Sequence, residues 1–326
     1  MEYNESMKSI VMIFFLLLPI VTLAKYNGVK ESFIEYMASE YGFKVQKLQK
    51  LFSQAKFQAN TLNIYNTPFR TYKNDASWAR YKKHIITDKK IKDGKKFLET
   101  YHDSLIKAEK IYQVPKEYIA AFIGVESNFG KFKGKKNIFD SLATLAFYEN
   151  RKQDFFRFEL EHFLLMCRDK DINPLTQTGS FAGAMGCVQQ LPSVHHLYGV
   201  DFDGDGERNL FSMKDCIGTI ANFMHVNGWE NARRITVQAM YKEKRYEGLT
   251  TGFDKIYTID KLKANGVSPI LFFPESSASL LQIRDTNHDE LWLGAQNFRV
   301  LTAYNNSTNY AMAIHQIAQR LLSVKK

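Results

Sequence analysis

The stretch VPKEYIAAFIGVESNFGKFKG, residues 114–134, sets one carboxylate, Glu126, in an otherwise apolar row and follows it with two glycines. Pro115 suits a first helical position, and Lys116 and Glu117 lead into an apolar series at Ile119, Phe122 and Ile123. Spacings of three, four and seven residues place Glu126 on the same helical face as those side chains. That face is expected to be buried. A carboxylate there loses hydration in its charged form, so its pKa rises toward what a general acid needs near neutral pH. Gly130 reads as the left-handed residue that ends the helix. On the pattern alone an alternative stays open: a glutamate at the polar edge of the helix, reaching water or pairing with Lys131, Lys133 or Lys135.

Outward from this helix the chain is mainly α. Residues 29–60 are amphipathic at helical spacing, and WARYKKHIIT from Trp78 and the run FLETYHDSLIKAEKIYQV lead into the Glu126 helix. SLATLAFYENRKQDFFRFELEHFLLMCRD, residues 141–169, keeps helical spacing throughout, and NYAMAIHQIAQRLLSV forms a last helix with Met312, Ile314, Ile317, Leu321 and Leu322 on its apolar side. Between them, residues 231–280 carry β-branched and aromatic clusters, RRITVQAMY and GVSPILFFP, that read as short strands or a small insertion. The expectation is an α+β protein: a leader at 1–24, a helical region at 25–77, a core at 78–230, a small insertion at 231–290, and a returning strand and helix at 291–326.

With 326 residues, 45% of them hydrophobic, the chain has material for one large or two medium cores. IVMIFFLLLPIVTLA, residues 10–24, is a 15-residue apolar run containing Pro19. A membrane span wants about 20 such residues and a signal-peptide core about 7 to 15, so export with cleavage after Ala24 is expected. An uncleaved anchor stays open as the alternative, Met7 competes with Met1 as the start, and no cysteine forms a lipid-attachment box near the cleavage point. The net charge of +10 comes from scattered lysine and suits an anionic polymer or solubility alone. No nucleic-acid motif accompanies it, and nucleic acid is not expected as a partner. Cys167, Cys187 and Cys216 lack metal-ligand spacing; one pair could be bridged, or all could be buried thiols.

Three further stretches carry chemistry. GSFAGAMGCVQQLPSV, residues 179–194, combines small residues that allow close backbone approach with the neutral hydrogen-bonding groups of Ser180, Gln189 and Gln190, as sugar hydroxyls and acetamido groups require; a tight helix crossing is the plain alternative. In DFDGDGERNLFSMKD, residues 201–215, Asp201, Asp203, Asp205 and Gly206 match the first half of an EF-hand loop, where alternate oxygens converge on a hard cation. Its twelfth position is Ser212 instead of glutamate; Asp215 could close a longer loop with the Glu207 carbonyl as a further ligand, and a solvated turn without metal is the alternative. YNNSTNY, residues 304–310, offers a helix cap at Ser307 or Thr308 and the composition of a carbohydrate-contacting loop.

Taken in order, IGVESNFG, DSLATLAF, GSFAGAMG, DFDGDG, NGW and YNNSTNYAMA resemble the lytic murein transglycosylase B family of bacterial cell-wall enzymes, from about Trp78 to Trp229 and again from about Trp292 to Gln319. The resemblance implies a lysozyme-like catalytic core in the periplasm that cleaves the glycan between N-acetylmuramic acid and N-acetylglucosamine and leaves a 1,6-anhydromuramoyl end. It places Glu126 as the single acid/base and Ser180, Gln189, Arg151, Tyr304, Asn305 and Tyr310 on substrate positions. It also places Asp201, Asp203, Asp205, Glu207 and Asp215 on a structural calcium loop. Peptidoglycan strands are the implied partner, with cell-wall synthesis proteins as further candidates; no organic cofactor is implied, and oligomeric state is not readable.

The residues agree with that chemistry. Ordinary glycosidases need two carboxylates flanking the bond, and one is found here. One suffices if the substrate's own N-acetyl oxygen stabilises the developing cation and its C6 hydroxyl replaces water, Glu126 acting first as acid and then as base. Departures from the family's pattern lie at Cys187 and Val188, at Gln190 and Leu191 where a Phe-Met pair is usual, and at Phe223 where a tyrosine is common. A muramidase that adds water and a non-catalytic peptidoglycan-binding scaffold are the competing readings.

Overall fold

The computed structural model describes residues 30–67, 77–243, 245–285 and 288–323. The expected leader and both candidate start residues lie outside them. In chain order the elements are α1 (Lys30–Tyr41), α2 (Val45–Phe52), α3 (Ala59–Asn66), α4 (Ser77–Ile85), α5 (Asp88–Thr100), α6 (His102–Tyr112) and α7 (Lys116–Ser127). Next come β1 (Lys136–Asn137), α8 (Ile138–Phe147), α9 (Gln153–Asp169), β2 (Thr178–Gly179), α10 (Pro192–Tyr198) and α11 (Met213–Val226). The late elements are β3 (Thr236–Tyr241), β4 (Ile256–Thr258), α12 (Ile259–Ala264), β5 (Val267–Pro269), β6 (Ser277–Arg284), β7 (Asp289–Gly294), α13 (Gln296–Tyr304) and α14 (Thr308–Leu322). The fold is mainly helical with a small antiparallel sheet late in the chain, as the sequence patterns predict. No helix among the described residues is long and apolar enough to cross a membrane.

The chain forms two compact units. The first holds the described residues of Met1–Arg70 and Lys133–Leu197. Its core is α8 laid along α9, with Ile138, Phe139, Leu142 and Leu145 fully enclosed. Phe33 and Phe52 from α1 and α2 join Phe139 and Phe147 in a ring cluster with centroids 5.2–6.0 Å apart, edge and tilted contacts that add to area burial. Asn137 caps α8 by accepting from the Asp140 N–H at 2.8 Å. The single helical run read over 141–169 is in fact broken between Phe147 and Gln153. The cause is Asn150, whose amide donates to the Leu145 and Tyr148 carbonyls at 2.7 and 2.8 Å and whose oxygen accepts from Lys152 N. Such side-chain bonds compete with the helix ladder.

The second unit holds the described residues of Thr71–Phe132 and Tyr198–Lys326. Helix α7 is its centre, packed by α14, α11, α5 and α6. The sheet, order β4-β6-β7-β3-β5, is antiparallel throughout, with Leu281 opposite Trp292 and Val237 opposite Leu293. Its own apolar cluster joins Val237, Leu280, Leu291 and Leu293 with Tyr257 and Leu262.

Helix α7 ends at Ser127, three residues before the expected stop: Asn128, Phe129 and Gly130 are all left-handed, at φ of 50°, 60° and 78°. The reversal brings the Phe129 ring back over Gly124, where an added Cβ would lie 2.6 Å from the ring. Only glycine leaves room for that ring. Ser127 secures the turn, its Oγ donating to Ile123 O at 3.2 Å and accepting from Gly130 N at 2.8 Å.

Candidate active site and metal loop

Glu126 sits in the last turn of α7, one side of which is wholly buried through Ile119, Phe122 and Ile123. The glutamate keeps part of its surface open to solvent. Its carboxyl is nevertheless crowded enough that burial raises its pKa to about 7, against opposing pulls from a Tyr310 hydrogen bond and the Lys90 charge. The negative pole of α7 acts in the same direction as burial, since a helix C-terminus disfavours an anion.

Tyr310, buried on the first turn of α14, donates its hydroxyl to Glu126 Oε1. That helix begins at Ser307, whose Oγ accepts from Tyr310 N at 3.3 Å, so the cap itself aims the tyrosine. Burial and the neighbouring carboxylate push the Tyr310 phenol well above its ordinary value, so it remains a donor. Rings enclose the site: Tyr304 meets Phe122 edge-on at 4.7 Å and Phe223 at 4.9 Å, and Phe223 in turn meets Tyr198 at 4.9 Å. Asn305, exposed, ends α13, and its carbonyl accepts from Ser307 N at 2.6 Å. Thus Tyr304 and Tyr310 gather around the Glu126 helix, with Asn305 at the turn that joins their two helices.

Two residues near Glu126 carried no marker in the sequence. Tyr81 on α4 has its phenol raised by burial first and by the Glu126 charge second. Lys90 on α5 donates its ammonium to Gly124 O at 2.7 Å. A lysine within DKKIKDGKK looks like a solvated helix face, and nothing in its spacing separates it from its neighbours.

The remaining substrate candidates belong to the first unit. Ser180 Oγ accepts from Ala182 N at 3.2 Å and Ala184 N at 3.0 Å, which occupies its lone pairs and leaves its proton to donate. The loop is closed by a Met185–Gln190 bridge, bonded both ways at 2.8 and 3.0 Å. Gln189 stands at φ 48° and its amide donates to Gly186 O at 2.9 Å. Gly183 is required here, since a Cβ would strike Leu142 at 2.6 Å. Gln190 is buried, and among the described residues neither of its amide atoms has a hydrogen-bond partner. Arg151, exposed, lies over the Tyr65 ring at 5.2 Å.

In the acidic loop, carboxylate oxygens of Asp201, Asp203 and Asp215 lie within 4.8 Å of one another. Backbone N–H groups hold them there: Asp201 accepts from Gly204, Asp205 and Gly206, and Asp215 from Phe202, Asp203 and Asn209, at 2.7–3.3 Å. Gly204 and Gly206 provide the left-handed turns, at φ 81° and 93°. The Asp205 and Glu207 side chains stand outside the group, and Asp205 Oδ1 accepts from Glu207 N at 2.8 Å. Three convergent carboxylates form a hard-oxygen donor set that fits calcium or a similar divalent cation.

Residues 25–319 match the family of the transglycosylase SLT domain. The chain is 40% identical over 300 residues to the membrane-bound lytic murein transglycosylase B of Escherichia coli K12, covering 90% of this chain and 82% of that protein. Its fold is similar to that of the Escherichia coli lytic transglycosylase Slt35 in complex with calcium, with a TM-score of 0.84, 39% identity, and 89% and 91% of the two chains covered. It is also similar to Pseudomonas aeruginosa SltB3 in complex with NAG-NAM-pentapeptide, with a TM-score of 0.78, 27% identity, and 89% and 78% covered.

Proposed function

The chain belongs to the lytic murein transglycosylase B family and is an enzyme, and from that premise we propose that it cleaves the N-acetylmuramic acid to N-acetylglucosamine bond of peptidoglycan, with Glu126 as the single acid/base. The observation that carries this reading is the Glu126 carboxyl itself, raised to about 7 by burial and held by the Tyr310 hydroxyl. A carboxyl titrating there is protonated often enough to donate to the leaving oxygen, and its conjugate base is strong enough to take a proton back.

In the first step Glu126 gives its proton to the glycosidic oxygen, the bond from that oxygen to C1 breaks and the N-acetylglucosamine side leaves as an alcohol, while the acetamido oxygen of the muramic acid stabilises the cation left at C1. In the second, the Glu126 carboxylate removes the proton of the C6 hydroxyl, whose oxygen closes on C1 to give the 1,6-anhydro end. Tyr310 donates to the carboxylate at this stage and steadies its negative charge. Ser180, with its hydroxyl proton free to donate, suits an acetamido carbonyl, and Gln189, Arg151, Tyr304 and Asn305 supply further glycan contacts.

Calcium belongs to this reading as a structural ion. Asp201, Asp203 and Asp215 would hold it, joined by Asp205 and the Glu207 carbonyl, and it would supply charge neutralisation that fixes the loop following α10. Export to the periplasm rests on the apolar run at 10–24. Release of soluble fragments from purified peptidoglycan tests the assignment: Glu126→Gln is expected to bind the wall and release nothing, whereas undiminished release would remove Glu126 from its role.

A further inference from the structure

We infer that Lys90 is a positioning residue for the acid: its ammonium, fixed on the last turn of α7, is the cation that keeps the carboxylate form of Glu126 accessible for the second proton transfer. This rests on the proposed acid/base role of Glu126.

The geometry begins at the start of α5. Thr87 caps that helix by accepting from Lys90 N at 3.1 Å, so the lysine leaves a tied-down first turn. Its side chain is partly buried and ends on Gly124 O at 2.7 Å, two residues before Glu126. At the end of α7 the Asn128 N–H turns to Ile123 O, so the Gly124 carbonyl belongs to the turn where a helix runs out of its own donors. A cation there opposes the negative helix pole.

Among the described residues, Lys90 is the cation whose charge acts on Glu126. Tyr310 on α14 and Tyr81 on α4 are phenols held neutral by burial and by Glu126 itself. Tyr304 on α13 acts on Tyr310, and α11 presents the Phe223 ring to the same aromatic cluster. On α5, Asp93 faces Lys90, but its carboxylate already accepts from Lys89 at 2.9 Å and Lys131 at 2.7 Å. The surface lysines of that pair are screened by salt; a partly buried ammonium held on Gly124 O, near a partly buried carboxyl, is screened less.

The consequence is directional. Burial and the helix pole favour the protonated acid, which serves the first proton transfer and hinders the second. A fixed cation favours the carboxylate and restores the balance. Removing the charge therefore leaves Glu126 protonated to higher pH, and the alkaline limb of the pH–rate profile moves up.

The experiment measures fragment release from purified peptidoglycan against pH for the parent, Lys90→Gln, Lys90→Met and Lys90→Arg, with Glu126→Gln alongside and melting temperatures recorded. The two neutral variants are expected to move the alkaline limb upward by about half a pH unit or more, while Lys90→Arg stays near the parent. Lys90→Met serves if Lys90→Gln does not fold. An unmoved limb in a folded neutral variant, even with a lowered melting temperature, makes Lys90 a mere helix cap and overturns the inference. Neutral variants and Lys90→Arg shifting alike also overturn it. Undiminished release by Glu126→Gln overturns the underlying assignment instead, and the two failures are thereby told apart.

Discussion

Replacing Glu126 with glutamine is expected to stabilise the protein above neutral pH. The carboxyl titrates at about 7 in the folded protein against an ordinary 4.5. The folded state therefore binds more protons than the unfolded chain between those values, and stability falls as pH rises through that window. At about 1.4 kcal/mol per unit the full cost of the ionised form is roughly 3 kcal/mol, and the part of Glu126 left open to water reduces it to about 2. Glutamine carries no charge at any pH and still accepts from the Tyr310 hydroxyl. Parent and variant should thus unfold alike in urea below about pH 4.5 and separate progressively up to pH 7 and beyond, the variant being more stable by about 2 kcal/mol. Glu159, also raised to about 7 by burial, is present in both proteins and cancels in the difference. A difference that does not grow across this window would refute the claim that Glu126 is held in a desolvated site.

Other substitutions probe the rest of the account. Tyr310→Phe removes a hydrogen bond that favours the carboxylate, so the alkaline limb of the pH–rate profile should rise and fragment release should fall about tenfold or more, read in the same release assay. Chelation should lower the melting temperature, and calcium at a hundred times its Kd should return about 2.7 kcal/mol, an effect lost in Asp203→Ala. Gln190→Met replaces a buried amide that makes no hydrogen bond among the described residues, and should raise stability by about 1 kcal/mol or more in urea unfolding.

Much of α7 was legible because its face obeys a simple period: Ile119, Phe122, Ile123 and Glu126 recur at helical spacing, and burial of the first three follows. Its end was not. Asn128 and Phe129 adopt left-handed backbone because the Phe129 ring packs on Gly124, a tertiary contact that outweighs the local preference for glycine at Gly130. The break at Asn150 escaped for a similar reason, since the apolar spacing runs on while one amide side chain takes over the helix carbonyls. In the sheet, β3 and β5 lie within the two stretches that carried β-branched and aromatic residues, whereas β6 is buried at Ala278, Leu280 and Leu281 without the alternation that marks a half-exposed strand. At the candidate site Glu126 and Tyr310 were visible as motif residues. Lys90 and Tyr81 were not, because what sets them apart is proximity to a carboxyl 36 or more residues away along the chain, and residue type alone does not report that.

Mass spectrometry of the fragments released from purified peptidoglycan is the most direct test of the central claim. The account predicts products ending in 1,6-anhydromuramic acid, absent with Glu126→Gln. Reducing muramic acid ends formed by addition of water would contradict it.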